Sequence, residues 1–277
     1  MLVNAPAKLN LCLYLGPRRD DALHELCSLF EPLALADLIE VTEGVEEDEM
    51  ICPEVEGENL ASRALAALRE RGWERPPLRV EIDKRTPVAA GLGGGSADAA
   101  AVLRLAAGEV DDLPGIAAEL GADVPSQLEP ALALVRGAGE RVEPLPAPAS
   151  HAALLLSGGG GLSTAEVFAE ADRLGLGRDA AELERLAPRL REAAGAGSSP
   201  LDYPDLLVND LEPAARSVRP AIGEALAALR EAGAPLALLS GSGPTAVGLF
   251  ADLNEARAAA ARLGREDAIV CEAGRAP

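Results

Sequence analysis

Lysine is nearly missing from this 277-residue chain: of its 25 basic residues 23 are arginine, and Lys8 and Lys84 are the two exceptions. An arginine's broad planar fork cannot replace a compact ammonium at a tight anion site, so both lysines mark positions where that group itself is required. Histidine is almost as scarce, with two copies, and the four cysteines (Cys12, Cys27, Cys52 and Cys271) show no C-x-x-C spacing. That excludes a His/Cys zinc site and a disulfide framework and leaves buried free thiols as the expectation. No apolar run approaches the roughly 18 residues of a membrane span, and the start, Met1-Leu2-Val3-Asn4-Ala5-Pro6, lacks the charged and apolar regions of a secretory leader. The expectation is a cytoplasmic globular protein with no membrane partner. Net positive charge is absent as well: at -20 the chain is a poor partner for nucleic acid, and any anionic ligand must be held locally.

What the sequence has in quantity is small and apolar. With 48% hydrophobic residues the chain can bury a sizeable core, as one large domain or two modest ones. The most informative stretch is Pro87-Val88-Ala89-Ala90-Gly91-Leu92-Gly93-Gly94-Gly95-Ser96-Ala97-Asp98. Four glycines, a serine and a helix-favouring run place free backbone N–H groups, a hydroxyl and a helix N-terminus together, which suits a triphosphate. The cluster is neither a Walker loop nor a G-x-G-x-x-G turn, and a tight strand-to-helix turn of purely structural purpose stays open beside the phosphate reading. A side chain at Gly94 is expected to intrude into the loop.

Residues 8 to 15 alternate, with Leu9, Leu11, Leu13 and Leu15 on one face of a strand and Lys8, Asn10, Cys12 and Tyr14 on the other, so Lys8 and Asn10 point the same way. Asn59 is placed to cap a helix bearing Leu60, Ala64, Leu65 and Leu68 on one face. Leu78 to Asp83 reads as a strand that delivers Lys84 to the glycine loop, and a helix runs from near Ser96 to about Ala107. Residues 115 to 120 read as a helix stopped by Gly121, with Asp123 on a short connection beyond. Pro144-Leu145-Pro146-Ala147-Pro148 is a stiff linker, giving domains 1–148 and 149–277. The second half opens on a strand, Ala152 to Leu156, ended by the turn Gly158–Gly161. It is helix-rich to about Arg230, then reads strand, the Ser240-Gly241-Ser242-Gly243-Pro244-Thr245 loop, strand, helix, strand.

Pro6-Ala7-Lys8-Leu9-Asn10, the glycine loop and Leu239-Ser240-Gly241-Ser242-Gly243-Pro244 resemble the three motifs of the GHMP small-molecule kinase superfamily, in the same order and at similar spacing. The resemblance extends through His24-Glu25-Leu26, Glu58-Asn59-Leu60, Ile82-Asp83-Lys84-Arg85, Gly121-Ala122-Asp123-Val124-Pro125 and Asn209-Asp210-Leu211-Glu212. It implies an α+β, two-domain fold, a ribosomal-protein-S5-like domain followed by a ferredoxin-like one, with ATP and substrate in the cleft between. The implied reaction moves the γ-phosphoryl group of ATP, with Mg²⁺, to the 2-hydroxyl of a cytidine diphosphate derivative of methylerythritol, in a monomer or homodimer.

Carried over residue by residue, the resemblance implies catalytic roles for Lys8 and Asp123. It puts Asn59, Lys84, Pro87, Gly91, Leu92, Gly93, Gly94, Gly95, Ser96 and Ala97 toward the nucleotide. It puts Asn10, His24, Asp123, Thr164, Phe168, Ser240 and Gly241 toward the acceptor; metal ligands stay unassigned. Where the family carries Gly-Tyr before the histidine this chain has Ala22-Leu23, and Ser126-Gln127-Leu128-Glu129-Pro130 replaces the usual run after Pro125. Two further readings follow from those departures and from the fold: a kinase of the family acting on another small alcohol such as mevalonate or homoserine, and a catalytically silent nucleotide binder. An RNA-binding role for the S5-like half is opposed by the net charge.

Overall fold

The structure is a computed structural model and describes residues 1–55 and 57–277. It is α+β, and its organising element is one long strand. β1 (Leu2–Arg18) and β2 (His24–Glu43) form an antiparallel ribbon joined at the Arg19–Leu23 hairpin. The other edge of β2 is shared by β5 (Ala133–Gly137) along Leu26–Phe30, β10 (Ile269–Ala273) at Leu33, and β4 (Leu78–Asp83) along Leu38–Glu43. β3 (Glu49–Ile51) lies parallel to β4, and β6 (Arg141–Pro144) pairs with β5. Beyond the proline-rich segment, β7 (His151–Ser157), β8 (Leu236–Leu239) and β9 (Thr245–Phe250) continue through β10 in the order β10-β7-β9-β8. One backbone register pair, Ala273 with Leu33, joins the two parts of the sheet.

Three large buried layers hold most of this frame. α1 (Leu60–Glu70), α2 (Gly94–Arg104) and α3 (Leu113–Leu120) cover β1, β2 and β4 through Leu65, Leu68, Val102, Leu103 and Ile116. α5 (Thr164–Leu174), α7 (Glu212–Val218), α8 (Ala221–Glu231) and α9 (Leu253–Leu263) contribute to the second layer, against β7 to β10, through Val167, Ala215, Leu226, Leu229 and Ala256. The third layer crosses the linker: Leu9, Leu29, Leu33 and Leu134 pack with Leu183, Leu186 and Leu190 of α6 (Ala180–Ala193) and with Val247 and Leu249 of β9. A short α4 (Val124–Gln127) completes the helices named here. No helix among the described residues is long and apolar enough to cross a membrane.

Local chemistry explains most element boundaries. Asn59 caps α1 in a reciprocal capping box with Ser62, and Gly121 ends α3. Two expectations shift. The alternation in β1 inverts at a register break between Asn10 and Cys12: Leu9 and Leu11 share a core with Cys12 and Tyr14, whereas Leu13 and Leu15 enter the other layer. A bulge inserts one residue and exchanges the two faces, and both faces of this strand are buried. α2 starts at Gly94, two residues before Ser96, because first-turn N–H groups need no intrahelical partner and glycine is tolerated there. Of the cysteines, Cys12, Cys27 and Cys271 are buried, and burial pushes the Cys27 thiol up to about 11. Cys52 is half-buried and faces the main cavity, contrary to the expectation of four buried thiols.

Candidate active site

Two glycine-containing turns meet backbone to backbone. Gly91 has φ of +76°, and a Cβ there would stand 2.6 Å from the Gly243 carbonyl and 2.8 Å from that of Ser240. Ser240 seals the contact: its hydroxyl donates to the Gly91 carbonyl (3.0 Å) and accepts from the Asn10 N–H (3.2 Å). Asn209 braces the same turn by donating to the carbonyls of Leu239 and Gly241. Its place in the Asn209–Glu212 motif is the sequence signal for that role.

Under the first turn lies Lys8. Its ammonium donates to Asn10 Oδ1 (2.6 Å), faces Asp123 Oδ2 at 3.1 Å and sits 4.5 Å from the centre of the Phe30 ring. Asn10 is fixed in turn by donating to Ser28 Oγ (3.1 Å). Asp123 occupies the position ahead of α4, where a carboxylate commonly caps, yet it makes no side-chain cap bond, so its charge is left to Lys8 and the cavity. Gly93 permits the approach: it is left-handed (φ +68°), and a Cβ would fall 2.8 Å from Lys8 Cγ. Gly94 departs from expectation. A side chain there would press on Thr86 and on Lys84 Nζ (3.2 Å) rather than intrude into the loop. Gly95 is the position whose Cβ meets open space, with Leu60 Cδ1 4.0 Å away as its nearest neighbour.

Lys84 is locked in a buried triad. Its ammonium donates to Asp37 and, at 2.7 Å, to Asp98 Oδ2, while Asp37 also accepts from the N–H groups of Arg85 and Thr86. Burial works against the ammonium, but Asp98 and Asp37 outweigh it and raise the Lys84 pKa. Burial and the neighbouring Asp37 push Asp98 up to about 7 against the pull of Lys84, and its Oδ1 has no partner among the described residues. Two carboxylates share one ammonium, so Asp98, at about 7, is partly protonated near neutral pH.

At the far end His24 is directed by Asp172, with Nε2 2.8 Å from Oδ1, and its ring lies 5.3 Å from that of Phe168 at 39°. α5 carries Thr164, Phe168 and Asp172, and Thr164 shares a hydrogen bond with Ser242 (3.0 Å) that ties this helix to the serine-glycine turn. Phe30, Asp37 and Asp172 carry no motif signal; they become visible once the strands and helices are in place.

All of this surrounds one cavity of about 1180 Å³, beyond the roughly 300–1,000 Å³ of a single small-molecule site, and so roomy enough for two ligands side by side. Its wall includes Lys8, Asn10, His24, Asn59, Lys84, Pro87, Gly91, Leu92, Gly93, Gly94, Gly95, Ser96, Asp123, Thr164, Phe168 and Gly241. Two residues expected at the ligands are not in that wall. Ala97 is fully buried in the α1–α2 layer with its N–H bonded to the Gly93 carbonyl, and Ser240 is fully buried beneath the turn it holds.

Residues 59–128 match the family described as the GHMP kinases N terminal domain, and residues 168–269 the one described as GHMP kinases C terminal. A 4-diphosphocytidyl-2-C-methyl-D-erythritol kinase of Kineococcus radiotolerans is 41% identical over 283 aligned positions, covering 94% of this chain and 83% of that protein. A crystal structure of a 4-(cytidine 5'-diphospho)-2C-methyl-D-erythritol kinase superposes with a TM-score of 0.80 at 34% identity, over 99% of this chain and all of that one. The homoserine kinase of Cytophaga hutchinsonii shares the fold, with a TM-score of 0.68 at 20% identity over 99% of this chain and 94% of its own. By the two matched domains and by identity over almost its whole length, the chain belongs to the GHMP kinase family.

Proposed function

We propose that this chain transfers the γ-phosphoryl group of ATP to the 2-hydroxyl of 4-diphosphocytidyl-2-C-methyl-D-erythritol, a step of the non-mevalonate route to isoprenoid precursors, as a cytoplasmic enzyme of two domains, 1–148 and 149–277. The observation that carries the reading is the Lys8–Asp123 pair, held between the glycine turn and the His24–Phe168 end of a single cavity. The acceptor oxygen attacks the γ-phosphorus, the bond to the β-phosphate oxygen breaks, ADP leaves, and the hydroxyl proton passes to Asp123. Lys8, 3.1 Å from that carboxylate, orients it and sets positive charge beside the transferred group. Gly95 supports the phosphate cradle: nothing in the protein crowds a methyl there, so its bare backbone is explained by a ligand.

Mg²⁺ fits this site as a ligand of the phosphates rather than of a protein cage. No group of three or more His, Cys, Asp or Glu among the described residues could hold a metal. A hard cation on a triphosphate needs one or two protein oxygens, and the Ser96 hydroxyl in the cavity wall offers one. When bound, it would neutralise charge on the phosphoryl oxygens.

The deciding experiment offers the cytidyl compound, mevalonate and homoserine with ATP and Mg²⁺ and follows each by mass spectrometry. Gain of one phosphoryl group on the cytidyl compound alone is the expected outcome. Phosphorylation of another alcohol instead would overturn the substrate, and transfer to none would favour a silent nucleotide binder.

A further inference from the structure

The cavity must hold two polyanions, yet its two lysines are already matched by carboxylates, Lys8 by Asp123 and Lys84 by Asp37 and Asp98. Two arginines, Arg18 and Arg63, line the cavity with no carboxylate within 4.0 Å among the described residues. Arg63 lies on α1, a turn beyond Asn59. Arg18 lies at the opposite end. It is the register partner of His24 across the β1–β2 ribbon, and directly opposed residues present their side chains on the same face.

The hairpin treats its adjacent arginines differently. Arg19 is surrounded by Asp21, Glu25 and Glu140 within 3.6 Å, whereas among the described residues Arg18 makes one long hydrogen bond, Nε to the Ala22 carbonyl at 3.4 Å. The acid in the cavity wall at this end, Asp172, is turned to His24. In a chain with 45 acidic residues, a cavity-wall guanidinium opposite His24 whose two terminal nitrogens have no partner among the described residues stands apart from its neighbour Arg19. Its planar fork matches two phosphate oxygens at once, which an ammonium cannot do.

Resting on the acceptor assigned above, we propose that Arg18 is the specificity-determining residue that grips the acceptor's diphosphate, selecting nucleoside diphosphate derivatives over uncharged nucleosides and simple alcohols. His24 and Phe168 address the base, Asp123 the hydroxyl, and Arg18 the charged link between them.

The test measures kinetic constants for both substrates in Arg18→Gln and Arg18→Lys, and calorimetric binding of CDP and of cytidine. Loss of one water-exposed, charge-assisted contact is expected to raise the acceptor KM about tenfold in Arg18→Gln and less in Arg18→Lys, with the ATP KM and melting temperature held, which also shows the variant folded. CDP should lose about the same factor in affinity while cytidine loses none. Equal losses for CDP and cytidine would place the guanidinium on the base and overturn the proposal, as would an unchanged acceptor KM in an active enzyme. A wild-type chain inactive on the cytidyl compound would sink the acceptor assignment itself; CDP binding unchanged by Arg18→Gln would then also remove the diphosphate contact.

Discussion

Lys8 and Asp123 form the residue-level unit of the proposed chemistry, and each can be removed without touching the phosphate cradle, which is backbone. Asp123→Asn keeps the shape and loses the proton acceptor, so turnover should fall by about 10³ while the dissociation constant for ATP stays near its original value; rapid-quench turnover and calorimetry read the two separately. Gly93→Ala attacks the same unit from below, because a methyl 2.8 Å from Lys8 Cγ on a left-handed residue must shift the lysine. Its signature is a lower kcat in a protein that still binds nucleotide. A third position stores strain: Ala22, at the hairpin tip, has φ of +67°. Ala22→Gly should stabilise the fold by up to about 1 kcal/mol, raising the melting temperature by roughly 1–4 °C. The common side of Lys8 and Asn10 could be read from alternation, and their 2.6 Å contact agrees. The contact of Lys8 with Phe30 could not, since no local pattern says which strand lies alongside.

At the scale of elements, α2 joins two demands that pull in opposite directions. Glycine at its start weakens a helix, and Gly95 has space for a methyl group, so packing alone would favour alanine there. Gly95→Ala is therefore expected to hold or raise the melting temperature while weakening ATP binding, because the methyl fills the face turned to the cavity; loss of neither property would remove Gly95 from the cradle. Elements with local signals were legible: α1 from its Asn59 cap, α3 from its glycine stop, β4 and β7 from pattern. The inversion of β1 was not, because a bulge leaves the composition of a strand unchanged and alters only which neighbour each residue meets. β2 runs for 20 residues because three different partners share its second edge, a fact of topology with no local sequence mark.

For the whole molecule, the proline-rich segment 144–148 is not a boundary of the core, since one hydrophobic layer contains residues from both sides of it. At this seam a fully buried ion pair joins the halves, His151 of β7 and Glu31 of β2, with Nε2 3.1 Å from Oε2. Burial disfavours the imidazolium, but the hydrogen bond and charge of Glu31 outweigh it and raise the His151 pKa above its ordinary 6.5. A raised histidine pKa gives stability that is fully present below the unfolded value of about 6.5 and is lost as pH climbs through the folded one. Asp98, also raised, imposes a fall of the same sign, so the pair must be isolated by comparison. In Glu31→Gln the Asp98 contribution remains, while His151 loses its anion and burial is opposed only by the hydrogen bond to the Ala149 carbonyl. Thermal unfolding from pH 6 to 9 should show the wild type well above the variant at the acid end and the gap narrowing as pH rises. A gap that stayed constant across that range would mean that His151 does not change charge there and that this pair does not set the pH dependence of stability.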